Sequence, residues 1–325
     1  MEKTALTFCE CYARDGLQSM PIWVPTEKKI EMINMISEAG FPKLEVTSFS
    51  HPKLLPQFRD CVEVLQQIKR KPGTSYVVLM PNEKGFERFL KCQKEGYGAD
   101  EIILMISSSE AHNTLNFRLT HTEAFKVHAR IMEEAIKQGV KVIGCTGTVY
   151  GCPVGGDVPY SEVHKVTKFY VDHGADTLML GDTTGVANPN IVKQRLGQLI
   201  SDFPNTKFIA HFHDTRGTGV VNTLTAIEMG VTYVDTSIGA IGGQPASGAS
   251  KYSLGFTGNT CSEDMVALVE EMGYSTGVDM DLLLKAGHFG EELLDMRLRG
   301  NVTHSGPVLH QPSTPDKGSG EKIKN

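Results

Sequence analysis

No run of about eighteen apolar residues occurs anywhere in the chain, so no segment of it is expected to cross a membrane as a helix. The start, Met1-Glu2-Lys3-Thr4, leads into a strand-like stretch and lacks the apolar core of a secretory signal. A basic surplus is missing too. With 32 Lys and Arg against 38 Asp and Glu the formal net charge is -6, and no nucleic-acid partner is expected. Cysteine is sparse: Cys9, Cys11, Cys61, Cys92, Cys145, Cys152 and Cys261 are odd in number and scattered. That distribution favours reduced thiols in a cytoplasmic protein over a disulfide framework. Cys9 and Cys11 share a strand face, but no second pair completes a zinc site, so both are read as core thiols. What remains is an ordinary globular composition, 40% hydrophobic and 22% charged, in 325 residues that can bury a full core.

What the chain does have is rhythm. Thr4–Cys11 has the pattern of a strand and Pro25–Ala39 that of a helix, with Pro25 early, Thr26 as its cap and Gly40 closing it. Further strands are predicted at Lys43–Phe49, Ser75–Met80, Glu101–Ser107, Lys141–Val149, Thr177–Leu180, Phe208–His213 and Tyr233–Ile238. Helices are predicted between and after them at Leu54–Ile68, Lys84–Lys94, Thr122–Gln138, Ser161–His173, Asn190–Ile200, Val220–Met229 and Glu263–Met272. Eight strand-helix units are the period of a closed barrel, so the expected fold class is α/β, a single (β/α)8 TIM barrel. Leu282–Arg299 reads as a C-terminal helix covering it, which makes residues 1–300 one domain. Residues 301–325 are expected to be a disordered tail, because Gly306–Asn325 is rich in Pro, Gly, Ser and Lys without apolar periodicity. Gly239–Asn259 is far longer than an ordinary βα loop and is expected to act as a lid or substrate loop.

The chemistry gathers at one rim. Lys207-Phe208-Ile209-Ala210-His211-Phe212-His213-Asp214-Thr215 begins as a buried strand and ends in two histidines two residues apart. Residues i and i+2 share a strand face ~7 Å apart, a spacing at which two imidazoles can grip one cation. A lone His-x-His is more often two unrelated histidines. This pair, however, ends a strand where an α/β barrel assembles its site. Arg14-Asp15-Gly16 follows the first strand, Glu45 lies in the second, Ser107-Ser108-Ser109-Glu110 follows the fourth and Gly181-Asp182-Thr183 the sixth. Each cluster alone is readable as a turn, a cap or a loop; their convergence on one rim is not. A carboxylate and two imidazoles, completed by water or an amide, suit a divalent cation with open positions. Oxygen and nitrogen donors without thiolate favour Mg2+ or Mn2+ over structural zinc, although non-haem iron takes the same ligand count. Arg14 adds fixed positive charge where an oxyanion develops, which completes the equipment for making or breaking a C–C bond through an enolate.

In its motifs the chain resembles the 3-hydroxy-3-methylglutaryl-CoA lyase family, among the metal-dependent lyases and condensing enzymes built on TIM barrels. The resemblance spans about residues 5–295. It is carried by Ala13-Arg14-Asp15-Gly16-Leu17-Gln18, by Glu45-Val46-Thr47-Ser48-Phe49 with Pro52-Lys53, and by Gly151-Cys152-Pro153. Leu180-Gly181-Asp182-Thr183, His211-Phe212-His213-Asp214-Thr215 and Gly242-Gly243 extend it. It implies Asp15, His211, His213 and Asn259 as metal ligands, with His211 nearest the proton transfers. It further implies that Arg14 stabilises the enolate, that Glu45 and Asp182 belong to the inner polar shell, and that Gln18, Asn116 and Thr183 meet the substrate. The implied activity is divalent-metal-dependent cleavage of a branched 3-hydroxyacyl-CoA by retro-Claisen or retro-aldol chemistry. The expected partner is thus a small molecule, a CoA thioester, and the expected state a cytoplasmic homo-oligomer with neither nucleic acid nor membrane attached.

One departure matters. The family carries Gly-Gly-Cys-Pro after its eighth strand, and that cysteine is regarded as the acid that protonates the departing acyl-CoA enolate. Here the sequence is Gly242-Gly243-Gln244-Pro245, and a glutamine has no titratable proton to give. The loop is also about half a dozen residues longer, with extra material around Ala249–Ser253. Gln244, Lys251 and Tyr252 are therefore expected to contact substrate, Lys251 offering positive charge and Tyr252 a phenol. Cys261 is read as a substitute thiol or a buried structural one. Two other functions stay open: an aldolase or Claisen-type synthase acting on a 2-oxo acid, and an inactive barrel with a binding role. The retained Arg14, Asp15, His211 and His213 speak against the last.

Overall fold

The strands carry apolar residues on both faces, as a parallel sheet covered by helices outside and closed on itself inside requires. In the computed structural model, which describes residues 3–243 and 257–310, eight parallel strands close into a barrel in sequence order. They are β1 Thr7–Glu10, β2 Lys43–Ser48, β3 Ser75–Leu79, β4 Glu101–Ser107, β5 Lys141–Gly147, β6 Thr177–Asp182, β7 Phe208–Phe212 and β8 Tyr233–Thr236, with β8 pairing back to β1. Around them run α1 Thr26–Glu38, α2 Cys61–Gln67, α3 Glu83–Lys94, α4 Glu110–Phe117, α5 His121–Lys137 and α6 Tyr160–Asp172. The circuit is completed by α7 Pro189–Asp202, α8 Gly219–Glu228, α9 Ser262–Glu271, α10 Met280–Leu294 and α11 Asn301–Ser305. No described helix is long and apolar enough to cross a membrane.

The expected rhythm is present, with four local differences. The helix expected over Leu54–Ile68 is a single turn at Pro56–Phe58 followed by α2, because Pro56 can open a turn but not sit inside a helix. Thr26 does not cap α1; its hydroxyl donates to Asp60 Oδ2 at 2.8 Å, tying α1 to the start of α2. An extra helix, α4, stands between β4 and α5, started by the Ser109 hydroxyl, which accepts from His112 N–H. The covering helix stops at Leu294, where Asp295 turns left-handed at φ 48°. Beyond it the fold runs past residue 300, since α11 docks on α9 through Thr303 Oγ1, which donates to Glu263 Oε1 at 2.9 Å.

Inside the barrel the side chains form layers. Cys9, Val77, Ile103, Ile143, Cys145, Met179 and Ile209 make an apolar plug. Below it Lys43 donates to Glu101 Oε2 at 2.7 Å, and Ser75 to the other oxygen at 2.5 Å, so the buried pair is neutral as a unit. Above it, at the C-terminal ends of the strands, the lining turns polar. The plug thus gives the upper layer a dry floor.

The lower ion pair yields a stability test. Glu101→Leu leaves Lys43 buried without its counter-charge and is expected to cost about 3–5 kcal/mol of unfolding free energy in urea. Lys43→Met combined with Glu101→Leu is expected to cost clearly less. Equal losses in the single and double variants would show that packing, not charge pairing, is what the site supplies.

Candidate metal-binding active site

After β1 the chain makes one wide turn, Tyr12–Gly16, in which Gly16 N–H reaches back to the Cys11 carbonyl at 3.0 Å. A five-residue turn of this kind puts consecutive side chains where an α-turn would not. Arg14 and Asp15 both point into the barrel mouth. Arg14 Nε donates to Glu45 Oε2, and its Nη1 to Asp15 Oδ1 at 2.7 Å, all three side chains buried. Glu45 sits at a register shift in β2, between its partner positions opposite β3, a local break that re-aims a side chain toward a site. Burial works to raise the Asp15 carboxyl, but the Arg14 guanidinium beside it leads the groups that outweigh burial and hold it at about 2. Burial raises Glu45 to about 7 in spite of Arg14.

His211 and His213 leave the end of β7 on its inner face, their rings perpendicular and their Nε2 atoms 3.1 Å apart. His213 Nδ1 lies 2.8 Å from the Gly258 carbonyl, which can only accept, so the His213 proton is on Nδ1 and its Nε2 presents a lone pair. His211 Nδ1 is 2.5 Å from Asp235 Oδ2. Burial works to lower both imidazoles from their ordinary pKa, against the pull of Asp15. One ligand atom from each of Asp15, His211 and His213 lies within 4.8 Å of the others, the one such group of His, Cys, Asp or Glu among the described residues.

Asn259 completes the cluster from the far side of the long loop. Residues 257–261 return along the end of β7: His213 and Asn259 bridge, and Thr260 N–H donates to the Phe212 carbonyl at 3.1 Å. Asn259 Nδ2 donates to Asp15 Oδ2 at 2.8 Å and to the Ile241 carbonyl at 2.9 Å, while its Oδ1 is buried without a partner among the described residues. An unpaired buried oxygen costs free energy unless something binds it. It belongs to a side chain bonded to Asp15, whose carboxylate lies with the two imidazoles in one cluster, so the residues fit a divalent cation. Gly242 makes this packing possible. Its φ is 133°, and a Cβ there would lie 2.0 Å from Asn259 Nδ2 and 2.8 Å from Asp15 Oδ2.

The other expected residues divide. Asp182 is buried at the end of β6, but its oxygens accept from Val186 N–H at 2.9 Å and Ala187 N–H at 3.1 Å, holding its own loop. Thr183 Oγ1 accepts from Thr148 N–H at 2.8 Å, and Gln18 is buried just past the turn that carries Arg14. Asn116 lies on α4, bonded to His112. Gln244, Lys251 and Tyr252 lie outside the described residues. Cys261 Sγ donates to Glu263 Oε2 at 3.0 Å, and burial pushes its thiol well up. It is the structural thiol of the two readings. All seven cysteines are free and buried.

A family model described as HMGL-like matches residues 5–289. The chain belongs to this family. Hydroxymethylglutaryl-CoA lyase YngG of Bacillus subtilis is 39% identical over 287 residues, covering 88% of this chain and 92% of its own. The mitochondrial hydroxymethylglutaryl-CoA lyase of Bos taurus is 38% identical over 292 residues, 90% of this chain and 86% of its own. Among solved structures, the Bacillus subtilis HMG-CoA lyase superposes with a TM-score of 0.87 at 36% identity, over 94% of this chain and 99% of that one. An HMG-CoA lyase from Acinetobacter baumannii, solved with coenzyme A and 3-methylmalate, gives 0.86 at 35% identity, over 96% and 98% of the two chains. As a member of the HMGL-like family the chain is a carbon–carbon lyase, and the family's metal dependence agrees with the His and Asp cluster at its rim.

Sequence reasoning passed over Asp235. It stands opposite His211 in the β7–β8 register, buried, and burial pushes its carboxyl well up. The available signal was an aspartate inside a strand, Tyr233-Val234-Asp235-Thr236, where that residue type is depleted. A carboxylate behind a metal-binding imidazole sets the ring's orientation and tautomer. Asp235→Ala is therefore expected to weaken divalent-cation binding by about 10–100-fold in calorimetric titration, with the circular dichroism spectrum unchanged. An unchanged affinity would show that His211 is oriented by packing alone.

Proposed function

We propose that this HMGL-like lyase cleaves a branched 3-hydroxyacyl-CoA of the hydroxymethylglutaryl-CoA type, with Mg2+ or Mn2+ held by Asp15, His211, His213 and Asn259. The observation that carries the reading is the convergence of one carboxylate and two imidazoles beside a fixed arginine, with the Asn259 amide bonded to that carboxylate. A divalent ion bound there supplies Lewis-acid chemistry, lowering the pKa of a chelated hydroxyl and stabilising negative charge on a neighbouring carbonyl oxygen.

The chain's own residues do the rest. Arg14 is clamped at Nε by Glu45 and at Nη1 by Asp15, so its remaining N–H groups are aimed and need no reorganisation. As the 3-hydroxyl loses its proton and the C–C bond breaks, the electron pair passes to the thioester as an enolate, and Arg14 meets the charge that develops on its oxygen. His211 is the ring nearest the proton transfers, and Asp235 holds it. Glu45 and Asp182 shape the polar wall around them. The acyl-CoA enolate then takes a proton from a donor other than a thiol at position 244. Gln244, Lys251 and Tyr252 are proposed as substrate contacts, with Gln18, Asn116 and Thr183 at the pocket edge. The 3-methylmalate and coenzyme A found in the Acinetobacter baumannii relative support an acyl group that keeps a free carboxylate. Seven free buried thiols support a reducing, cytoplasmic setting, and a homo-oligomer belongs to the same reading.

Incubating the protein and Mg2+ or Mn2+ with a panel of 3-hydroxyacyl-CoAs and 4-hydroxy-2-oxo acids should give cleavage of the former, read by mass spectrometry. Cleavage of the oxo acids alone would favour the aldolase alternative, and metal binding without turnover of either class a binding role. Arg14→Lys should lower turnover on the order of a hundredfold, roughly 3 kcal/mol of lost transition-state stabilisation, with little change in KM. Near-normal turnover would mean that the guanidinium only positions Asp15.

A further inference from the structure

Glu10 closes β1 and has no part in the proposed chemistry, yet it is almost fully buried. Its neighbour Cys9 belongs to the plug inside the barrel, so by strand alternation Glu10 points outward, toward α9. Both of its oxygens are engaged. Oε1 accepts from Tyr12 N–H at 2.8 Å and from Ile238 N–H at 3.0 Å. Oε2 lies against the hydroxyl of Ser262, the first residue of α9.

These contacts meet where the β1–β8 ladder breaks. Cys11 N–H donates to the Thr236 carbonyl at 2.9 Å. In a parallel ladder the next rung would run from Ile238 N–H to the Cys11 carbonyl. The wide turn has taken that carbonyl, which accepts from Arg14 N–H at 3.1 Å and Gly16 N–H at 3.0 Å. Glu10 Oε1 stands in for it. The pairing therefore continues through a side chain just where the backbone turns to deliver Arg14 and Asp15.

Each partner leads to a proposed metal ligand. Tyr12 opens the turn that carries Asp15. Ile238 opens the single turn Ile238–Ala240, and the carbonyls that follow fix Asn259. That of Ala240 accepts from Asn259 N–H at 3.1 Å, and that of Ile241 from its Nδ2 at 2.9 Å. Ser262 follows Asn259 by three residues, and its N–H donates to the Ser237 carbonyl at 3.1 Å. The packing leaves no slack, since a Cβ on Gly16 would lie 2.9 Å from the Ile241 side chain and 3.2 Å from Ser237 Oγ.

We propose that Glu10 is a positioning residue for the divalent cation, its one carboxyl locking the Asp15 turn, the segment from Ile238 and the Asn259 return into a rigid unit. It touches none of the ligands, and the inference rests on the proposed metal site. Burial lifts the Glu10 carboxyl to about 8, so at neutral pH it is an uncharged acid, a form that glutamine copies.

The probe is Mn2+ alone, titrated calorimetrically into the full chain, with amide hydrogen exchange read by mass spectrometry on the same variants. Glu10→Ala should weaken Mn2+ binding by about 10–100-fold, the range for groups that support metal ligands. It should also speed exchange over residues 12–16 and 237–242, and leave β4 and β5 as they are. Glu10→Gln should restore most of both, because its amide oxygen can take the two N–H groups and its nitrogen can donate to Ser262 Oγ. Ser262→Ala should weaken Mn2+ binding by about 2–10-fold, the worth of one neutral hydrogen bond. Glu101→Leu removes a buried carboxylate from the other end of the barrel and should leave Mn2+ affinity unchanged. A loss there equal to that of Glu10→Ala would reduce Glu10 to a general stabiliser. Unchanged Mn2+ affinity in Glu10→Ala and Ser262→Ala, or no rescue by Glu10→Gln, would overturn the positioning role. Faster exchange in Glu10→Ala of a chain that binds no Mn2+ even when intact would instead keep the lock and remove the metal site. Ser262→Ala deletes a single oxygen, so it carries the test even where Glu10→Ala fails to fold.

Discussion

Arg14 lies between two buried carboxylates at the mouth of the barrel, and the charge balance it leaves incomplete governs everything around it. Asp15, Glu45, Asp182 and Asp235 bring four carboxyls to the layer above the plug, against one fixed guanidinium. Burial lifts Glu45, Asp182 and Asp235, while Asp15, next to Arg14, is pulled down to about 2. The layer is thus short of positive charge where Asp15 and the imidazole nitrogens meet. A buried polar cluster in that condition is costly unless a cation enters, since the low local dielectric that strengthens good pairings also magnifies missing ones. The same shortage makes Arg14 a poor candidate for motion, because swinging it out would strip two buried carboxylates at once.

Backbone geometry keeps that layer together. β1 ends in a wide turn instead of an α-turn, β2 shifts register at Glu45, and Gly242 runs against Asn259 where no side chain fits. Each is a local irregularity in an otherwise regular barrel, and each stands in the hydrogen-bonded group of Arg14, Asp15, Glu45 and Asn259. The regular parts do the opposite work. The plug of Val77, Ile103, Ile143, Met179 and Ile209 excludes water from below, so the rim groups titrate and bind in a dry setting.

The barrel was legible in the sequence because its signal repeats: eight apolar strands, each followed by an amphipathic helix, survive errors of a few residues at any one boundary. Asp15, His211 and His213 were legible as a group for a related reason, since strand ends of a barrel share a rim whatever lies between them in sequence. What stayed hidden depended on pairing register or on single side chains. Asp235 faces His211 only because β8 sits beside β7 in one register, which spacing along the chain does not reveal. The helix α4 was missed because its eight residues sit between a strand and a longer helix, with too little apolar periodicity to stand apart. The contact between Ser107 and His112 stayed hidden for the same reason: His112 is on α4, five residues away, and the two meet only once that helix forms.

The departures from the family pattern have a consistent location. The residues expected to cleave the bond are rooted in β1, β2, β7 and β8, or in the short return at 257–261, all fastened to the barrel by backbone hydrogen bonds. The loop cysteine that the resemblance expects to finish the reaction has Gln244 at its place in this sequence, outside the described residues. Cys261 does not stand in for it, since its thiol is committed to Glu263, which in turn accepts from Gly239 N–H and Thr303. Under the proposed reaction cleavage and protonation are separable: the residues proposed for the first stand at strand ends, and the family's donor for the second belongs to the segment after β8. Because the enolate is the last species common to lyase and condensing chemistry, a change confined to the proton donor alters its fate while leaving the machinery that creates it in place.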